Sequence, residues 1–362
     1  MINSYKWKIG WGFTAKCNMT CPFCYSAIAR RDDYEIPLQS AKRFVDINAD
    51  MIESINYGTG ECALSENWAS LAAYIRSSYP AIRQSLTTNG SIAKQIAAGM
   101  LHGNQFACMI DEVDVSLDFF EESKHNQTRG NSNAYRWALD TLELCNSNAI
   151  TPTIVMVGYT ETLGIRNLEG IFRLAGKYNA FVRINILRPL KGTKLPPPSN
   201  RQMHQALKTI LQRYKVVSLC DPLFGAIYDP EQSSVPEKTN SLRILPNGMI
   251  TPSTYLIEDR WFVESICNDI LLSHLLDTEV FHQVMNAGVP DECCGCVYKD
   301  ACGGGAVDRR ILHYNSLSER DPYCPLREGC TMPEKTPLKH SGRGDFRPTV
   351  HDGYLPTLIF DF

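Results

Sequence analysis

Hydrophobic and polar positions follow two alternating periods over the first half of this chain. Short β-branched and apolar runs at Trp7–Phe13, Ser54–Gly58, Gln84–Thr88, Glu112–Leu117, Thr153–Gly158 and Phe181–Leu187 read as strands. Between them, apolar residues recur at i, i+3, i+4 and i+7 over Gln39–Ala49, Trp68–Ser78, Ala134–Cys145 and Leu168–Tyr178, the stripe of an amphipathic helix. The alternation predicts an α/β fold built on a parallel sheet or barrel. Six βα units are too few to close an eight-stranded barrel. The pattern breaks at 191–199, where Pro196, Pro197 and Pro198 predict an extended linker, and a helix over Arg201–Tyr214 follows. Beyond Cys220, short runs, turns and cysteines predict a second, smaller domain. From Thr331 a tail carries proline, glycine and charge, then turns apolar over Tyr354–Phe360, so it is either disordered or docked on the barrel. The expected division is a core over 1–190, a linker and helix over 191–216, a cysteine-rich domain over 217–330 and a tail over 331–362.

Composition narrows the class. The 362 residues are 44% hydrophobic, enough to bury ordinary cores, and the formal charge of -3 leaves no electrostatic footprint for nucleic acid or an anionic membrane. No apolar run approaches a membrane span, and Met1-Ile2-Asn3-Ser4 lacks the basic and apolar regions of a signal peptide, so the cytoplasm is the expected location. The 14 cysteines gather towards both ends of the chain, which points to metal ligation in a reducing compartment rather than to a disulfide framework.

Cys17, Cys21 and Cys24 place three thiols in eight residues, directly after the first strand candidate. A structural zinc site wants four ligands, whereas a 4Fe-4S cluster held by three thiolates keeps one iron open for an exogenous ligand. The loop, with its CxxxCxxC spacing, resembles the cluster loop of the radical SAM enzymes. That resemblance implies a partial (β/α)6 TIM-like barrel, with the active site at the C-terminal ends of the strands. It also implies S-adenosylmethionine chelated at the open iron. The turn Gly58-Thr59-Gly60-Glu61 is similar to the family's Gly-Gly-Glu motif, with Thr59 in place of a glycine and Cys62 where proline often follows. Thr59, Gly60 and Glu61 would then hold the methionine ammonium. Asn89, in Thr87-Thr88-Asn89-Gly90, is similar to the family's Thr-Asn-Gly turn. Ser116 would stand near the methionine carboxylate or ribose, Arg129 would pair with the carboxylate, and Phe23 would pack near the adenine. Each also reads as an ordinary turn, cap or surface group.

A second set, Cys293, Cys296, Cys302 and Cys324, resembles part of the SPASM domain, an extension holding two auxiliary clusters. Here Ser253 and Ala306 stand where two of that pattern's thiols are expected. All the losses fall on the first auxiliary cluster, so one auxiliary 4Fe-4S cluster is expected. Cys294 or Cys330 could replace a named ligand, and a structural zinc site of four cysteines is the plainer reading. Cys108, Cys145 and Cys267 read as buried inert thiols. Cys62 and Cys220 are candidate hydrogen-atom donors to a carbon radical, although buried packing accounts for either.

The resemblance implies an oxidoreductase or maturase that reductively cleaves S-adenosylmethionine to a 5′-deoxyadenosyl radical, which takes a hydrogen atom from a substrate C–H bond. An electron donor such as flavodoxin or ferredoxin would be required. The substrate expected first is a ribosomally made peptide or protein. Against it, the thiol loop begins at residue 17, which leaves no room before it for a leader-peptide recognition domain. The alternative is a small-molecule natural-product enzyme, a dehydrogenase or epimerase of a sugar, aminocyclitol or nucleoside. A third reading is a non-catalytic zinc-binding protein. Ser253-Thr254 disfavours the sulfatase-activating members, which use an aspartate there as base.

Overall fold

The computed structural model describes residues 6–30, 34–99, 101, 103–191, 193–230, 240–328, 337–343 and 356–362. Six strands appear where alternation placed them: β1 (Trp7–Gly12), β2 (Ile52–Gly58), β3 (Arg83–Thr88), β4 (Glu112–Ser116), β5 (Thr151–Gly158) and β6 (Phe181–Ile186). They lie side by side in chain order and pair in parallel throughout. Every residue of β1 is buried, as expected of a parallel strand covered on both faces. The helices between them are α1 (Leu38–Asn48), α2 (Glu66–Ser78), α3 (Ser91–Ala97), α4 (Gly103–Met109), α5 (Glu122–Arg129), α6 (Ala134–Ser147) and α7 (Ile165–Lys177). Their apolar faces close on the sheet around Trp11, Phe44, Tyr57, Trp68 and Phe172. The mixed α/β architecture with its parallel sheet is the partial barrel expected.

The sheet continues past residue 190. Helix α8 (Asn200–Arg213) opens on a capping box in which the Ser199 hydroxyl and the Gln202 side chain each accept from the other's backbone N–H. Strand β7 (Lys215–Leu219) follows, then α9 (Pro222–Tyr228), capped by Asp221, which accepts from the backbone N–H groups of Leu223 and Phe224. Strand β8 (Asn240–Ile244) pairs in parallel with β1, and β9 (Ile250–Thr251) turns back on it through Gly248, whose φ of 83° suits glycine. Helices α10 (Glu279–Met285), α11 (Lys299–Cys302) and α12 (Val307–Tyr314) carry the cysteine-rich part. Finally β10 (Leu358–Asp361) inserts between β6 and β7, antiparallel to both. The apolar end of the tail is therefore docked as a strand. Residues 344–355 and Cys330 lie outside the described residues.

Buried ion pairs tie the cysteine-rich part to the barrel. Arg188, just past β6, reaches Asp308 of α12 at 3.2 Å. Arg309 lies between Asp221, at 2.6 Å, and Asp321, at 2.5 Å. Burying such charges is costly unless each is paired, and here each guanidinium meets a carboxylate.

Candidate active site

A cavity opens at the C-terminal ends of the parallel strands, lined there by Gly58, Thr88, Ser116, Val157 and Ile186. The thiol loop closes one side. It is folded by the bond from Cys24 N–H to the Cys21 carbonyl at 3.2 Å and by the bond from Thr20 N–H to the Arg129 carbonyl at 3.2 Å. Cys17, Cys21 and Cys24 all line the cavity, and each sulfur faces one nitrogen donor. Asn89 Nδ2 stands 3.9 Å from Cys17, Arg129 Nη1 3.8 Å from Cys21 and Arg30 Nη2 3.4 Å from Cys24. Burial pushes the Cys17 and Cys21 thiols above their ordinary range, with the Arg129 charge opposing it at Cys21. Donors aimed at all three sulfurs are what thiolate ligands need and neutral thiols do not. Among the described residues no group of three or more His, Cys, Asp or Glu converges on the position of a single ion. The sulfurs line a cavity wall instead, and a four-iron cluster spaces its thiolates more widely than one zinc does.

Phe23, Thr59, Gly60, Asn89, Ser116 and Arg129 all line the same cavity. Gly60 has a φ of 67°, and a Cβ there would sit 2.4 Å from the Thr14 carbonyl oxygen, so only glycine fits. Thr59 has a φ of 68°, rare for a β-branched residue. Its hydroxyl accepts from Arg243 and lies 3.3 Å from the Tyr25 hydroxyl. Asn89 also bridges to the Asn18 side chain at 2.7 Å. Arg129 is paired with Asp118 at 2.6 Å and lies over the Phe23 ring at 5.1 Å.

Glu61 is placed differently from its expected role. Its carboxylate is fully buried behind the turn and off the cavity wall, where it accepts from the Thr88 hydroxyl, Asn89 N–H at 2.7 Å and Ala63 N–H at 3.3 Å. Burial raises its pKa to about 7 against those hydrogen bonds. The acid staples the β2 turn to the end of β3.

Neither candidate hydrogen-atom donor reaches the cavity. Cys62 is fully buried beneath the turn, 3.9 Å from the Gly58 carbonyl oxygen, and burial drives its thiol far up. Cys220 stands at the end of β7, 2.8 Å from the Ser218 hydroxyl. Of the thiols expected to be inert, Cys145 is buried, but Cys108 and Cys267 are exposed. Cys108 lies on the outward side of the short α4.

Several lining residues went unread in the sequence: Tyr25, Asn56, Arg183, Arg188, Arg243 and Tyr255. A signal existed. Arg183 and Asn185 are the polar residues of an otherwise apolar strand, spaced by two, and side chains so spaced share one face.

The second cysteine set also gathers. Cys293, Cys296, Cys302 and Cys324 line one small pocket under α9, joined by Arg320. Burial raises the Cys293 and Cys324 thiols and pushes Cys302 up to about 12. Cys294 is exposed and does not line this pocket.

Residues 11–169 match the family described as the Radical SAM superfamily. The chain carries a radical SAM domain. This family implies a 4Fe-4S cluster and S-adenosylmethionine, and the matched segment holds the three-thiol loop with four of the five strand ends named above, those of β2 to β5. Among curated proteins the chain is 27% identical over 163 residues to the Fe-coproporphyrin III synthase of Methanosarcina barkeri. That match spans 44% of this chain and 38% of the relative's length. Among solved structures, anSMEcpe with bound AdoMet and Cp18Cys peptide superposes at a TM-score of 0.69 with 18% identity, covering 89% of this chain and 95% of that one. SuiB of Streptococcus suis bound to S-adenosylmethionine gives a TM-score of 0.65 with 16% identity, covering 89% and 77%. At such identities the likeness is one of fold. Among the described residues no helix is long and apolar enough to cross a membrane.

Proposed function

We propose that this protein is a radical SAM enzyme that takes a hydrogen atom from a C–H bond of a ribosomally made peptide or protein. The observation that carries the reading is the set of three cavity-lining sulfurs, each met by a nitrogen donor. Cys17, Cys21 and Cys24 would hold the first cluster, and Cys293, Cys296, Cys302 and Cys324 one auxiliary cluster in a SPASM-like region. When bound, the first cluster and S-adenosylmethionine supply the one-electron chemistry that opens unreactive C–H bonds. The chain's own residues orient and shield. Asn89, Arg129 and Arg30 donate to the sulfurs and so favour their thiolate forms. Gly58 lets the backbone come close to a ligand, and Gly60 lets the turn pack against the Thr14 and Lys16 carbonyls of the thiol loop. Phe23, packed with Phe119, Tyr159 and Leu187, excludes water from one wall. The auxiliary site would serve electron transfer, with flavodoxin or ferredoxin as the external donor.

The peptide assignment draws on two fold neighbours, anSMEcpe with its Cp18Cys peptide and SuiB with its precursor peptide SuiA. A small-molecule substrate is the second reading, favoured by the sequence match to a coproporphyrin-producing relative. Anaerobic reconstitution tests the reading. The parent should bind about eight irons. Replacing Cys17, Cys21 and Cys24 together should leave about four and abolish formation of 5′-deoxyadenosine. Unchanged formation in that variant would refute the assignment. Incubating the parent with the short peptide encoded beside its gene, if there is one, and reading the peptide's mass separates the two substrate classes.

A further inference from the structure

Five arginines line the main cavity, Arg30, Arg129, Arg183, Arg188 and Arg243, and among the described residues no Asp or Glu does. Arg30 and Arg129 are turned to the sulfurs of Cys24 and Cys21. The other three belong to β6, its C-terminal end and β8, and the proposed cofactor chemistry gives them nothing to do. Two of the three are paired with a buried carboxylate. Asp114, within β4, takes Arg183 at 3.0 Å, and Asp308 takes Arg188 at 3.2 Å. Each carboxylate is nearly inaccessible, as are the arginines themselves, so these pairs hold the two guanidiniums in place where they line the cavity. A guanidinium has five N–H donors. Among the described residues, Arg188 spends three of them, on the two Asp308 oxygens and the Ile186 carbonyl.

Two tyrosines join Arg188 and Arg243 into one belt. Arg188 lies over the Tyr255 ring at 4.9 Å, Tyr255 meets Tyr25 edge-on at 5.7 Å, and Arg243 donates to the Tyr25 hydroxyl at 3.0 Å. Tyr25 follows the third thiol of the loop directly, so the belt begins beside the proposed chemistry. Thr59 supplies an independent sign. It holds a left-handed backbone that costs about 1–2 kcal/mol for a residue with a Cβ, and its hydroxyl anchors Arg243. Glycine would relieve the backbone but could not orient the guanidinium, and strain kept at such a point marks function.

We propose that Arg183, Arg188 and Arg243, with Tyr25 and Tyr255, form the substrate-recognition site, and that it binds an anionic group on the substrate, a carboxylate or a phosphate. The proposal rests on the reading that chemistry occurs in this cavity. Planar guanidiniums held in place by buried carboxylates suit two-point recognition of such anions.

The test uses the iron-reconstituted holoenzyme saturated with S-adenosylmethionine, so that the cofactor's own carboxylate is already seated. N-acetylglutamate, its uncharged partner N-acetylglutamine amide, and inorganic phosphate are titrated calorimetrically at constant ionic strength set by chloride. Saturable binding of N-acetylglutamate or of phosphate, with none of the amide, is expected, and whichever anion binds more tightly identifies the group. Arg243→Gln should weaken that binding at least tenfold, while Arg188→Lys, which keeps a charge opposite Asp308 and so protects folding, should weaken it severalfold. Absence of anion binding above the chloride background overturns the proposal, as does equal binding by parent and both variants. Formation of 5′-deoxyadenosine by the parent is measured alongside. If it occurs without anion binding, the recognition site is refuted while the proposed function stands; anion binding without it refutes the function alone.

Discussion

Thr59 and Glu61 flank Gly60 and are both buried, but Thr59 lines the cavity and Glu61 does not. Replacing Thr59 by glycine relieves about 1–2 kcal/mol of backbone strain and removes a hydrogen bond from a charged donor worth a similar amount. Stability should therefore change little, whereas affinity for the anion that binds the holoenzyme should fall three- to tenfold. Calorimetry on Thr59→Gly beside a melting curve reads both. Glu61 has a folded pKa raised from 4.5 to about 7, so the folded protein holds that proton more tightly than the unfolded chain does. The stabilisation is complete below pH 4.5 and is lost as pH rises through about 7, a loss of about 3 kcal/mol at 1.36 kcal/mol per unit. Glu61→Gln cannot titrate. The melting temperature of the variant minus that of the parent should climb between pH 4.5 and 7 and level off above. A flat difference would show that Thr88, Asn89 and Ala63 hold the acid charged.

Among the elements, those with a strong period were legible and those without one were not. Helix α7 buries Leu168, Ile171, Phe172 and Ala175 on one stripe, and the sequence showed it. Helix α5 reads Glu-Ser-Lys-His-Asn-Gln-Thr-Arg with no apolar stripe, yet it buries His125 and Arg129. Its inward residues are polar because they serve the site, so periodicity cannot find it. The arginines of β6 and β8 escaped for a related reason: a polar residue within a buried strand has meaning only once its face is known. Strand β10 was legible as an apolar segment but not as a strand between β6 and β7, since pairing partners so distant in sequence leave no local mark. Phe360 is buried and meets Phe172 edge-on at 6.3 Å. Phe360→Ala should cost about 3–5 kcal/mol, read as a clear drop in melting temperature with iron content intact. In the cysteine-rich part, Cys294→Ser should leave the iron count unchanged, and Cys302→Ser should lower it by up to four. An equal loss in both would move the auxiliary site to another set of sulfurs.

At the scale of the whole molecule, the barrel and the cysteine-rich part are joined by buried ion pairs as well as by apolar packing. Arg309→Ala would strand Asp221 and Asp321 in the interior, at a cost of about 3–5 kcal/mol. Auxiliary iron should be lost with it. Arg309→Met combined with Asp221→Asn and Asp321→Asn removes all three charges, keeps the one oxygen that accepts from the backbone N–H groups of Leu223 and Phe224, and keeps an acceptor for either Ala306 or Tyr323 N–H, though not for both. That triple variant should recover most of the stability. A triple variant as unstable as the single one would show that geometry, rather than stranded charge, sets the cost.

The position of β10 also orders events during synthesis. It pairs Ile359 with Arg183, yet it follows the entire cysteine-rich part in the chain. While the ribosome is still making residues 187–357, that edge of β6 has no β10 to pair with and is a template for any other extended chain. At about 5–20 residues per second this interval lasts on the order of ten seconds or longer. The nascent barrel therefore needs a chaperone or rapid docking of the segment after β6 to stay soluble. A fusion joined directly after Phe362 would sit beside the strand that closes the sheet.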